Sequence, residues 1–201
     1  MMPMLGGAAV IFGLTLIVSL FGLFGPPTVI ERWVLRPYTL LRQRQFDRLI
    51  SSGFVHADLG HLIFNLLTFY FFAFPLEQRI GTVKFVLLYF IGLLVSSVGT
   101  YFKHRDNPDY ATLGASGAIS AVLFAAIVYF PDQSIFIIPI PVPIPAPLFA
   151  VGYLAYTYYS ARQAKGRINH DAHLGGALSG LVFDLLTEPS AYATLLRMIS
   201  G

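Results

Sequence analysis

Apolar residues along this chain fall into long blocks with few or no charges, separated by shorter polar connections. The first block, residues 5–24, is uncharged and, at about 20 residues, long enough to cross a bilayer. No basic stretch precedes it and no small-residue cleavage pattern closes it before Pro26-Pro27, so it reads as a retained first helix. Blocks at 58–76, 82–102, 113–130, 146–161 and 170–187 predict five more spans. Asp58 is the expected N-cap of the second, and Gly81 breaks the chain before the third.

Two connections have a character of their own. Residues 26–57 mix Glu31, Arg32, Trp33, Arg36, Tyr38, Arg42, Arg44, Asp47 and Arg48 with apolar pairs such as Val34-Leu35 and Leu49-Ile50. That mixture predicts short amphipathic pieces at the membrane interface, with aromatic rings at headgroup level and arginines snorkelling. The stretch holding Pro139, Pro141, Pro143, Pro145 and Pro147 cannot be helical; it is expected to be extended and to lie against the membrane.

Composition turns this pattern into a class. Of 201 residues, 56% are hydrophobic and 11% charged, against about 25% charged in a soluble domain. The expectation is a single all-α domain over residues 1–201, a polytopic membrane protein built as a bundle of six transmembrane helices. There is no cysteine, which removes disulfide and thiolate chemistry. The net charge of +3 calls for no nucleic-acid partner, because the basic residues flank apolar blocks where the lipid bilayer supplies anionic headgroups.

Chemistry is expected where polar residues interrupt the spans. Alternating passage through the bilayer makes the second, fourth and sixth spans start from the same face. His61 and Asn65 follow Asp58 by three and seven residues, Ser116 follows Leu113 by three, and His173 follows His170 by three. At about 1.5 Å per residue these groups lie roughly 5–10 Å inside their spans, at matched depth. Gly114, Gly117, Ala118 and Ala121 around Ser116, and Ala172, Gly176 and Gly180 beside His173, let the fourth and sixth helices approach backbone to backbone. Any one of these polar residues alone is more simply a helix-packing hydrogen bond. Four of them on three same-sided helices mark a site, because buried polar groups are costly in lipid.

A serine needs a base to become nucleophilic, and histidine, with an unperturbed pKa of about 6.5, is suited to that work. His173 is the candidate base for Ser116, and the Ser116 amide, Asn65 and His61 are candidate donors to an oxyanion. Asp171 points from another side of its helix and Asp184 lies roughly 16 Å further on, so a dyad is expected rather than a triad.

Three runs carry a family resemblance: Gly114-Ala-Ser-Gly117, Ala172-His-Leu-Gly-Gly176, and His56-Ala-Asp-Leu-Gly-His61-Leu-Ile-Phe-Asn65. In this order, on the second, fourth and sixth spans, they resemble the rhomboid family of intramembrane serine proteases, over about residues 30–187. The resemblance implies a six-helix fold with a recessed wet site that cleaves transmembrane protein substrates, using no cofactor and no metal. It implies Ser116 as nucleophile, His173 as base, His61 and Asn65 as oxyanion-binding groups, and Gly114, Gly117, Gly176 and His56 as structural support. It also gives Glu77-Gln-Arg79-Ile-Gly81 a structural role.

The chain departs from the family pattern at two places. Asp47-Arg48 stands where the family commonly has Trp-Arg, and Ser120 where it usually has an aromatic against which the base stacks. Phe124 or a hydrogen bond from Ser120 is then the expected support for His173.

Localisation draws on two rules that disagree. The resemblance implies a bacterial inner (plasma) membrane with the site toward the exterior or periplasm. The positive-inside rule points the other way, with ten basic residues on the site face against three opposite. Other functions compete with proteolysis. A catalytically weak or inactive relative would bind membrane-protein clients, a metal hydrolase would use His56, His61, His170 and His173, and a transporter would show repeats and midplane breaks.

Overall fold

The computed structural model describes residues 6–137, 140–163 and 169–200. Pro139, Lys165 and Arg167 lie outside them. The chain is a helical bundle with one small hairpin. α1 (Gly7–Phe24), α5 (Leu59–Ile80) and α6 (Thr82–His104) are the three described helices long and apolar enough to cross a membrane. Between α1 and α5 run three short helices, α2 (Thr28–Trp33), α3 (Pro37–Leu40) and α4 (Arg48–Ser51), and one 3-10 turn (Ser52–Phe54). After α6 come α7 (Ser116–Tyr129), strands β1 (Ser134–Ile137) and β2 (Ile140–Pro145), α8 (Ala146–Gln163), α9 (His170–Thr187) and α10 (Tyr192–Ser200).

α7 is the axis of the bundle. All its residues from Gly117 to Val128 are buried, and it packs most heavily on α9, then on α6 and α5. With apolar contacts on every side it has no hydrophilic face, as a helix inside a bundle should not. Its 14 residues reach about 21 Å, short of a hydrocarbon core of about 30 Å. The helix starts later than expected, at Ser116 rather than near Leu113. Gly114 takes φ of +112°, which a helix cannot contain, and Thr112 is tied into a two-way backbone bridge with Leu35 at 2.9 and 3.0 Å.

Small residues set the spacing around this axis. A Cβ on Gly176 would collide with the Gly117 carbonyl, and one on Gly180 with the Ala121 carbonyl. α9 therefore lies against the backbone of α7, as the small-residue ladder predicts. Where α6 joins the same seam, a Cβ on Gly92 would stand 2.5 Å from the Ala121 Cβ and 3.6 Å from Ser179 Oγ of α9.

Polar groups fasten the ends. Asp58 caps α5 by accepting from the His61 amide at 2.8 Å. Glu77, near the far end of α5, accepts from the Gly7 and Ala8 amides at 2.6 and 3.0 Å and satisfies the start of α1. Gly81, at φ +83°, turns the chain into α6. The connection between α1 and α5 is held rather than loose: Arg32 pairs with Asp47 at 2.7 Å, Ser97 donates to the Leu49 carbonyl at 3.1 Å, and Gly114 donates to the Ser52 carbonyl at 2.8 Å.

The proline-rich stretch corrects the all-α expectation locally. β1 and β2 pair antiparallel, Ile135 opposite Ile144 and Phe136 opposite Pro143. Prolines at every second residue leave β2 amide donors on one edge only, enough for one partner strand and none for a second.

Candidate active site

The segment before α7 is what presents Ser116. Gly114 turns it, with its φ of +112° and the His61 ring packed where a Cβ would stand, 2.6 Å from Cε1. No L-residue with a side chain fits that position on either ground. Ser116 then occupies the first turn of α7, where the backbone amides have no partner within the helix and the helix dipole is positive.

His56 holds this segment from behind. Its ring is fully buried, with Nδ1 2.8 Å from Ser19 Oγ and Nε2 3.4 Å from the Ala115 amide. Ser19 donates its proton to the Phe54 carbonyl at 2.8 Å, so His56 must donate from Nδ1 to Ser19 and accept at Nε2 from Ala115. One tautomer thus links α1, the interfacial connection and the residue before Ser116. Burial, with the neighbouring His61 as the smaller cause, pushes the His56 pKa down to about 3, which matches a ring whose Nε2 lone pair is in use.

A cavity of about 490 Å³ opens in front of Ser116. Asn65 and Thr68 of α5, Ser116 and Ser120 of α7, Tyr153 and Tyr156 of α8 and His173 of α9 contribute its polar groups. The rest is apolar, running past Phe71 and Leu123 to Ile135 and Phe136 of the hairpin. Ser116, Asn65 and His173 therefore share one space. His61 is set apart from it, beside Gly114 and edge-on to His56 with centroids 4.9 Å apart. Asn65 gives one amide proton to its own helix, Nδ2 to the His61 carbonyl at 2.8 Å, and keeps a second. Among the described residues neither Ser116 Oγ nor the His173 ring makes a hydrogen bond. Gly117 and Gly176 face each other behind the pair, and a Cβ on Gly117 would also run into Ser96 Oγ.

The acidic residues stand elsewhere. Lys103 engages Asp171 at 2.7 and 2.8 Å. Asp184 is buried far down α9, its carboxylate without a hydrogen-bond partner among the described residues. No group of three or more His, Asp or Glu side chains is gathered as metal ligands among the described residues.

Two residues at the site went unread in the sequence. Asn169 caps α9 by accepting from the Ala172 amide at 3.1 Å, and its Nδ2 donates to Thr100 and Thr112 hydroxyls at 2.9 and 3.3 Å. An Asn just before a helix start is a readable cap signal. Tyr153 stacks on His173 with ring centroids 6.4 Å apart and planes 18° apart, and its hydroxyl lies 3.2 Å from Ser120 Oγ. Phe124 packs against Tyr153 at 5.4 Å. Ser120 and Phe124, expected to support His173 directly, thus bear on the Tyr153 ring that lies next to it.

Comparison with known proteins gives the arrangement a lineage. The family model described as Rhomboid domain matches residues 43–189, well over half of the chain. The chain is 29% identical to RHOMBOID-like protein 12, mitochondrial, of Arabidopsis thaliana over 147 residues, 64% of this chain and 43% of that protein. It is 29% identical to Rhomboid protein 1, mitochondrial, of Saccharomyces cerevisiae over 182 residues, 83% of this chain and 49% of that protein. With the rhomboid protease GlpG of Yersinia pestis it shares 28% identity over 97 residues, 48% of this chain and 32% of that protein. The chain spans half or less of the length of these relatives. Two of them are named mitochondrial, so these relatives do not support the expected bacterial inner membrane as the membrane of this chain. With a family model matching from the connection between α1 and α5 to the end of α9, and with three helices able to cross a bilayer, this chain belongs to the rhomboid family of membrane proteins.

Proposed function

We propose that this chain is an intramembrane serine endopeptidase of six spans, α1, α5, α6, α7, α8 and α9, acting on transmembrane segments of membrane proteins. The observation that carries the reading is the single cavity that is polar only near Ser116, Asn65 and His173 and apolar along the rest of its length. An unwound piece of a membrane segment finds its reacting carbonyl beside the serine while its apolar remainder stays on apolar walls. Gly117 meets Ser96, eight residues before α6 ends, so α6 runs on past the start of α7 and leaves room for water above Ser116.

In this reading His173 takes the proton of Ser116 Oγ as that oxygen attacks the substrate carbonyl. The developing oxyanion is met by the Ser116 amide at the helix start and by the free amide proton of Asn65, with His61 joining after a ring movement. His173 returns the proton to the leaving amine, and water then hydrolyses the acyl-enzyme by the same steps. With Asp171 bound to Lys103, no carboxylate orients the base, and turnover is modest.

The test is cleavage of a single-span substrate by purified protein in detergent, with Ser116→Ala and His173→Ala alongside and a metal chelator added to each. Product from wild type alone, unchanged by chelator, is expected. Asn65→Ala should slow acylation of Ser116 by about 10²–10³. The missing Ser116–His173 hydrogen bond favours a second reading, a catalytically weak or inactive protein that binds membrane clients. Folded wild-type protein that captures substrate and never cuts it would establish that reading instead.

A further inference from the structure

The support of His173 comes from a helix other than the one that carries Ser116. α8 and α9 meet along a seam of two ring pairs in antiparallel register: Tyr153 on His173, and Tyr156 edge-on to His170 with centroids 5.3 Å apart. The two pairs are one helical turn apart on both helices. Tyr153 is also fixed from the side, its hydroxyl on Ser120 Oγ at 3.2 Å and its ring against Phe124 and Phe149 at 5.4 and 5.6 Å. An imidazole held on one face by a parallel ring has its rotation limited, and no hydrogen bond from a described residue does that work instead. The small side chain of Ser120 is what makes space for the phenol.

We propose that Tyr153 is the positioning residue for His173, so that the seating of α8 governs the orientation of the base. Orientation of the base toward Ser116 then exists while α8 is docked on α9 and is lost when α8 moves away. A membrane segment that enters the cavity along α8 touches Tyr153 and Tyr156, which are part of its wall, and so acts on the base before it reaches the serine. The proposal rests on His173 being the base.

A small fluorophosphonate that labels Ser116 tests it, because its rate depends on the serine and base and little on the docking of a long substrate. Wild type, Tyr153→Ala, Tyr153→Leu and Tyr153→Phe are compared, with circular dichroism confirming the fold. Tyr153→Leu keeps apolar bulk without a ring and serves if the alanine variant does not fold. The alanine and leucine variants should label about 10–100-fold more slowly, the scale expected for a misplaced catalytic group, and the phenylalanine variant within about threefold of wild type. Adding Ser120→Tyr to Tyr153→Ala moves the ring onto α7 and should recover most of the lost rate. Wild-type labelling in the leucine variant, with only the KM of a protein substrate altered, would make Tyr153 a wall of the cavity and overturn the proposal; so would a relocated ring that restores nothing. Labelling of His173→Ala at the wild-type rate would instead remove the base, a separate and recognisable failure.

Discussion

His56 lies outside the proposed catalytic pair, yet it joins three parts of the chain through a single neutral tautomer. Its ordinary pKa is about 6.5, and in the folded chain burial, with His61 adding to it, takes it down to about 3. Between those values the unfolded chain binds a proton that the folded one refuses. Stability present above about pH 6.5 is therefore lost as pH falls toward 3, at up to about 1.4 kcal/mol per pH unit. His56→Gln keeps a donor for Ser19 and an acceptor for the Ala115 amide without titrating. Its melting temperature in detergent should fall less steeply between pH 7 and pH 5 than that of wild type; equal slopes would place the acid sensitivity elsewhere. Gly176 tests packing at the same scale. Its absent Cβ is replaced in space by the Gly117 carbonyl, so Gly176→Ala must push α9 off the backbone of α7. Overpacking of this kind costs about 1–3 kcal/mol, more where a backbone must shift. A several-degree drop in melting temperature is expected, with loss of Ser116 labelling, since the serine sits one residue from the contact. An unchanged melting temperature would mean that the two helices have slack.

Elements were legible from the sequence in proportion to how locally they are determined. Asp58, Gly81 and the run from Gly117 to Val128 declare themselves by residue type, and α5, α6 and α7 follow from them. The start of α7 was misplaced by three residues because what stops it is a bridge to Leu35, 77 positions earlier, which no local pattern encodes. The proline stretch was readable as extended at Pro141, Pro143 and Pro145, but Pro147, expected to be extended too, lies in the first turn of α8, where a missing amide proton costs no helical hydrogen bond. Its pairing with Ser134–Ile137 was not, because Ile135, Phe136 and Ile137 make too short an apolar run to tell a strand from the stretch around it. The site divides in the same way. Ser116, Asn65 and His173 share a depth that helix arithmetic can supply, and they do line one cavity. Tyr153 was invisible because its partners, Ser120 and His173, belong to two other helices, and only the packing of α8 brings its ring between them. The prediction that belongs at this scale concerns the seam between α6 and α7. Gly92→Leu must displace Ala121, whose Cβ lies 2.5 Å from the missing side chain, and through it the α7 backbone that Gly180 also touches. Both Gly92→Leu and Gly180→Leu should therefore unfold at lower temperature. A pair of variants in which only Gly180→Leu matters would show that α6 can yield where α9 cannot.

For the whole molecule the open physical question is which way it faces, and two rules give opposite answers. Among the described residues the Ser116 end carries eight basic side chains, Arg32, Arg36, Arg42, Arg44, Arg48, Lys103, Arg105 and Arg162, and the opposite end three, which by charge alone keeps the Ser116 end on the cytoplasmic side. Five of them lie in the connection between α1 and α5, and three of those, Arg32, Arg42 and Arg48, are bound into the fold, Arg48 donating to the Val34 carbonyl at 3.4 Å. Arg32 is paired with Asp47, and Arg42 lies over the Tyr38 ring at 4.0 Å and donates to the Arg105 carbonyl at 3.3 Å. Lys103, at the same end, is held by Asp171 and the Ala161 carbonyl. Side chains engaged in this way lie along the protein and are not free loop charges, so they weigh less in the charge count. On that ground the Ser116 end is expected to face away from the cytoplasm, toward the periplasm when the chain is inserted in a bacterial inner membrane. The absence of cysteine makes the test direct, because one introduced thiol is the only one present. Asp106→Cys, at a side chain 84% exposed between α6 and α7, reports the Ser116 end. Asp132→Cys, exposed just beyond α7, reports the other end. A membrane-impermeant maleimide added to intact spheroplasts should modify Asp106→Cys at once and Asp132→Cys only after lysis. The reverse pattern would mean that charge outweighs the anchoring of the interfacial connection, and the substrates of this site would then have to present their membrane segments from the cytoplasmic side.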